Sequence, residues 1–149
     1  MAVTAYFYAN FFEHLLNGDV AGLDSATIKL ALTTSSYTPN QDTHDFFDDV
    51  TNEVSGTGYT AGGATLASKT VTQTNNVVKF DATDVTWSSS TITARRAVLY
   101  ESTGTAGTSH LIMWIDFGAD ESSVDGDFTV QFHTDGIFTI TAADASGYP

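Results

Sequence analysis

The chain has 149 residues, enough for one domain with a sizeable core. It contains no Cys, which excludes disulfides, thiol nucleophiles and Cys-based zinc sites. Eighteen acidic residues face five basic ones, and the formal net charge of −13 repels phosphate backbones, so no direct contact with nucleic acid is expected.

A helix is expected over about residues 4–17. Tyr8, Phe11, Phe12, Leu15 and Leu16 recur at helical spacing, Phe7 widens the stripe, and Asn17-Gly18 supply a stop. Residues 27–33 alternate as a strand, with Ile28, Leu30 and Leu32 on one face and Lys29 and Thr33 on the other. The next stretch, residues 35–54, opens with a Pro39-Asn40 turn. It carries Asp42, Asp45, Asp48, Asp49 and Glu53 but no Lys or Arg, and Phe46, Phe47 and Val50 are placed to anchor a short helical turn. Gly56, Gly58, Gly62 and Gly63 make about residues 53–65 a flexible loop or extended arm. It is not a phosphate-binding loop, because no Gly-Lys-Ser/Thr occurs.

Short strands follow. Residues 66–73 are Thr-rich and half-buried in character, and residues 77–80 follow an Asn75-Asn76 turn. Val85 and Trp87 form a short strand bounded by the serines at 88–90, and residues 94–100 form another that leads into a turn cluster at 102–107. Residues 111–117 are apolar on both faces, as in a central covered strand. Phe128, Val130 and Phe132 then alternate before Thr134-Asp135-Gly136. A three-residue loop with Gly136 left-handed sets Phe132 opposite Phe138 and Val130 opposite Ile140, which is the expected register of a C-terminal hairpin. The fold class is therefore mainly β. A single antiparallel β-sandwich or barrel-like domain over residues 1–149 carries one N-terminal helix, and periodicity leaves sandwich and barrel both open.

Chemical motifs are sparse. His14, His44, His110 and His133 show no metal-pair spacing, and structural or surface roles are expected for them, with His14 exposed on the helix. No Gly-x-Ser-x-Gly occurs. Carboxylates are numerous, but no motif marks an acid–base pair. No catalytic residue and no cofactor are expected. The weak metal candidate is residues 120–127, where Asp120, Asp125 and Asp127 surround a Gly and suit Ca²⁺; the spacing departs from an EF-hand loop, and a solvated acidic turn is preferred. Arg95 and Arg96 should point to opposite faces of a strand, one of them meeting an acid. Trp114 is expected in the core and Trp87 at the surface, where a sugar would stack on it. No run approaches the roughly 20 apolar residues of a membrane span. Residues 1–16 lack the basic start of a signal peptide, which predicts synthesis in a cytoplasm.

Several segments carry a family resemblance. They are residues 11–18 (Phe-Phe-Glu-His-Leu-Leu-Asn-Gly), residues 27–37 with Thr38-Pro39-Asn40 and His44-Asp45-Phe46-Phe47, and residues 56–63 (Gly-Thr-Gly-Tyr-Thr-Ala-Gly-Gly). Asp84-Val85-Thr86-Trp87, Ala97-Val98-Leu99-Tyr100, and residues 111–118 ending in Trp-Ile-Asp-Phe-Gly complete the set. Over nearly its full length the chain resembles a family of small virion structural proteins of tailed bacteriophages and prophages. That resemblance transfers no site. It implies a non-enzymatic structural protein, first a capsid decoration (cement) protein that packs on major capsid subunits, and alternatively a tail, neck or fibre-base protein. A receptor- or carbohydrate-binding β-sandwich module is the second alternative. The implied partners are the major capsid protein, other virion proteins or copies of the chain itself, with no nucleic acid and no membrane. The implied location is the virion, capsid surface first and tail second, after synthesis in the bacterial host cytoplasm. Tyr6, Phe7 or Tyr59 is expected to be buried only on assembly, because aromatic side chains dominate interface energetics.

Overall fold

The computed structural model describes residues 2–143. Its elements run β1 (Thr4–Phe7), α1 (Ala9–Asn17), β2 (Ile28–Thr33), β3 (Ala64–Thr65), β4 (Thr70–Thr74), β5 (Val77–Asp81), β6 (Val85–Glu101), β7 (Leu111–Val130) and β8 (Phe138–Thr141). A sheet in the order β1-β7-β6-β2-β3 packs against a smaller one in the order β4-β5-β8, and every pairing is antiparallel. The two sheets form a sandwich and do not close into a barrel.

The period of two explains why the larger sheet is covered on both faces. Ile28, Leu30 and Leu32 of β2, with Ala97 and Leu99 of β6, point into the main core between the sheets. Ala31, Val98 and Tyr100 alternate to the other face, where they meet Tyr8, Tyr37, Leu111 and Trp114 under the acidic segment around residues 37–50. That segment contains the expected helical turn, a 3₁₀ turn at Phe47–Asp49. Phe47 stacks on Tyr100 with ring centroids 4.0 Å apart.

Several expectations need correction. The helix does not begin at residue 4: residues Thr4–Phe7 form β1, which pairs Tyr6 with Trp114 and Phe7 with Met113. Aromatic residues suit a strand where a neighbouring edge is open, and the helical stripe reads on only from Ala9. Of that stripe Phe11 is buried, whereas Leu16 stays 87% exposed. Second, the Gly-rich loop is no free arm. Gly63 (φ +74) approaches β2 so closely that a Cβ there would lie 1.9 Å from the Leu30 carbonyl oxygen. Third, β4 is exposed along its length, and of residues 66–73 only Leu66 is buried and Lys69 partly so.

Fourth, the segments around Val85 and Ala94 belong to one strand, β6, rather than two. Its pairing with β7 passes through register shifts instead of breaking at the serines, because a bulge absorbs the mismatch and adds twist. Trp87 lies within this ribbon and is 6% exposed, packed edge-on against Phe128, so it offers no surface for a sugar. Fifth, the C-terminal hairpin does not form. Gly136 has the expected positive φ of +103, but β7 ends at Val130, paired with Val85, and β8 crosses to the other sheet. There Phe138 pairs with Phe80 and Ile140 with Val78. The apolar alternation that matched Phe132 to Phe138 is equally satisfied by β5, and the second sheet supplies the burial.

Candidate functional site

Where α1, the acidic segment and the β6–β7 connection meet, residues distant in sequence converge. His14 Nε2 lies 2.8 Å from Asp45 Oδ1, and His14 Nδ1 lies 3.1 Å from Asp19 Oδ2. His110 Nδ1 is 3.2 Å from Glu101 Oε2, and Glu101 Oε1 accepts the Ala21 backbone N–H at 3.0 Å. The two imidazoles lie against each other and against Phe46. His14 is thus not the exposed helix residue expected. Burial alone would lower its pKa, but the hydrogen bonds its ring donates to Asp19 and Asp45, together with their charge, outweigh this and hold it above the ordinary histidine value. The chemical capacity of this cluster is for His14 to hold a proton between Asp19 and Asp45 and so clamp α1 to the acidic segment by charge. No histidine hydrogen-bonds to a Ser or Thr hydroxyl among the described residues.

A second polar chain runs beneath it. The Tyr8 and Tyr37 hydroxyls are 2.9 Å apart, and Tyr37 also bonds His44 Nδ1 at 2.9 Å. Burial raises the pKa of both phenols, so they remain neutral donors and acceptors.

Arg95 and Arg96 were expected on opposite faces. A bulge of β7 opposite Arg95 breaks the alternation, and both guanidinium groups reach Asp116: Arg95 Nε to Oδ1 at 2.8 Å and Arg96 Nε to Oδ2 at 3.0 Å. Partial burial would raise the Asp116 pKa. The Arg95 hydrogen bond, the Gly118 N–H and the two positive charges overcome this and hold it below the usual carboxylate range. The basic pair is therefore spent inside the domain.

Asp120, Asp125 and Asp127 lie along β7 rather than in a turn, all exposed. Among the described residues no group of three His, Asp or Glu is placed to hold a metal ion.

The three aromatic contact candidates separate. Tyr6 is 45% exposed and stacks on Trp114 with ring centroids 5.2 Å apart, on a strand at the sheet edge. Phe7 is half-buried against Phe11, Phe12 and Phe138. Tyr59 serves the fold: its hydroxyl donates to Glu53 Oε1 at 2.6 Å and accepts from the Leu32 N–H at 2.9 Å. Burial first, and then Glu53, raise its pKa. Glu53 also accepts the Gly62 N–H, and Tyr100 donates to the Gly62 carbonyl. These bonds staple the Gly-rich loop to the sheet.

No protein-family model, curated protein or solved structure matches this chain. The histidine–carboxylate cluster had no signal in the sequence, because His14 and Asp45 are 31 positions apart, Glu101 and His110 lie farther still along the chain, and no local spacing brings the two histidines together.

Proposed function

We propose that this chain is a non-enzymatic structural protein of a tailed-phage particle and that it decorates the capsid by packing on major capsid subunits. The observation that carries the reading is the exposed edge formed by β1. Tyr6 is 45% exposed on the outermost strand of the larger sheet, and Val3 just before that strand is 64% exposed. An edge strand presents unpaired backbone N–H and C=O groups, and an incoming extended segment takes them up as an added strand. The aromatic ring of Tyr6, preset on Trp114, adds a rigid contact. Such a contact is small, and repetition over a lattice compensates for its size. The resemblance to small virion structural proteins supports the same reading. The charge of −13 supports it too, since free copies repel one another before they meet a shell.

Cryo-electron microscopy of the intact particle tests it. Copies tiled over the capsid with β1 against major capsid subunits are the expected result. Copies confined to the tail vertex would replace decoration with the tail or neck role, and absence from the particle would overturn the reading.

A further inference from the structure

The backbone of β1 is open at a defined place. The Tyr8 N–H donates to the Ile112 carbonyl at 3.1 Å, and the antiparallel pairing with β7 runs on to Thr4 and Asp116. Backbone groups alternate along such a pair, so Tyr6 and Thr4 face β7 while Phe7 and Ala5 turn theirs outward. The Gln41 side-chain amide donates to the Phe7 carbonyl at 2.8 Å and closes that end of the edge. Ala5 is exposed and keeps its N–H and C=O open to an incoming strand.

A cleft of about 630 Å³ opens directly beside Ala5, lined by Val3, Ala5, Met113, Ile115, Phe132 and Ile137 among others. Met113 belongs to the main core, and Ile115, Phe132 and Ile137 pack half-buried against it. The Ile137 N–H donates to the Phe80 carbonyl, so the wall facing β1 is joined to the smaller sheet. The cleft is thus the mouth of the sandwich on its β1 side. Among the described residues its lining holds no Asp, Glu, Lys or Arg, in a chain of net charge −13.

The edge and the cleft together specify what fits. A strand laid along Ala5 lies about 4.8 Å from β1, and its side chains alternate between the two faces of the sheet. Every second side chain therefore enters the cleft, where a charge would lose its water and find no partner. A second copy fills the mouth poorly. Its Phe7 is held by its own Phe11, Phe12 and Phe138, so a two-fold pairing of β1 with β1 brings only Ala5 and Val3 to the cleft, together with another charge of −13.

We infer that the strand added at β1 is an extended segment of another protein with an uncharged apolar side chain at every second position, and that these side chains complete the core between the two sheets. The inference rests on the reading of β1 as the contact edge and names the chemistry of the segment that edge receives.

Calorimetric titration of the full chain with three capped octapeptides tests it: one alternating Val and Thr, one with Ser in place of every Val, and one alternating Val and Thr but N-methylated at every amide. The first is expected to bind, and each of the other two at least about tenfold more weakly. Ala5→Pro removes the outward N–H at an edge position that tolerates proline, and Val3→Asp places a charge at the cleft from an exposed position before the strand. Each is expected to weaken the first peptide about tenfold with the melting temperature retained. Equal binding of the Ser peptide would leave the cleft without a role, and equal binding of the N-methylated peptide would exclude strand addition; either overturns the inference. Concentration-dependent dimers by sedimentation, abolished by Ala5→Pro, would assign the edge to a second copy and overturn it as well. Absence of any peptide binding, with the chain found on the capsid, would overturn this inference and leave decoration standing. Binding of the first peptide alone, with the chain absent from the particle, would support the inference and overturn the particle reading.

Discussion

His14 on α1 lies against His110 at the start of β7, with ring centroids 4.4 Å apart. Asp19 and Asp45 hold the first ring and Glu101 the second, so the C-terminal end of the helix meets the acidic segment and the β6–β7 connection through these groups, with Phe46 packed against both rings. The His14 pKa is raised in the folded chain. A raised folded value means that the bound proton stabilises the fold. That contribution is complete below the unfolded histidine value, about 6.5, and is lost as pH rises through the folded value. The melting temperature of the native chain should therefore exceed that of His14→Asn most at about pH 5.5 and converge toward it by about pH 9. A difference that does not change with pH would remove the clamp.

Asp116 behaves with the opposite sign. Its folded pKa is lowered, so its contribution is present above the ordinary carboxylate value, about 3.9, and disappears as pH falls through the folded value. Asp116→Ala leaves two guanidinium groups without their shared acceptor. The expected cost is roughly 3 kcal/mol, at the lower end for a broken buried pair because Asp116 keeps some contact with water. Urea denaturation at neutral pH measures it, and a loss below about 1 kcal/mol would show that solvent screens the triad.

Two glycines with similar backbone angles should respond differently to substitution. Gly63 (φ +74) has the Leu30 backbone within 1.9 Å of an added Cβ, whereas Gly104 (φ +88) has nothing within 4 Å. Gly104→Ala is expected to cost about 1–2 kcal/mol, the penalty of a left-handed L residue. Gly63→Ala must in addition push β3 and the loop off β2. It should cost clearly more, and thermal melts of the two variants give the comparison.

Tyr6 and Tyr59 divide between surface and fold. Tyr59→Phe strands the Leu32 N–H and takes from Glu53 one of its two donors, and should destabilise by about 1–3 kcal/mol. Tyr6→Ala removes a ring from an exposed edge and should change stability little while weakening attachment to the particle. Chemical denaturation and a particle-binding assay separate the two. A Tyr6→Ala variant that attaches normally would exclude β1 as the contact.

Local chemistry made much of the β-rich fold legible. The alternation of Ile28, Leu30 and Leu32, the Asn75-Asn76 turn and the apolar run from Leu111 are short-range patterns, and each appears where its own periodicity places it. Gly18 likewise ends α1 in the left-handed conformation, its N–H bonded back to Leu15. The open edge of β7 decided that residues Thr4–Phe7 pair as a strand, because aromatic residues fit either structure and tertiary pairing breaks the tie. Strand exchange between sheets decided the fate of β8, since alternation specifies a face and not a partner. A bulge in β7 brought Arg95 and Arg96 onto one carboxylate against the strand period. The histidine–carboxylate cluster was fixed at the same level: His14, Asp45 and His110 lie far apart along the chain, and only the packing of α1 and the acidic segment on the larger sheet makes them neighbours.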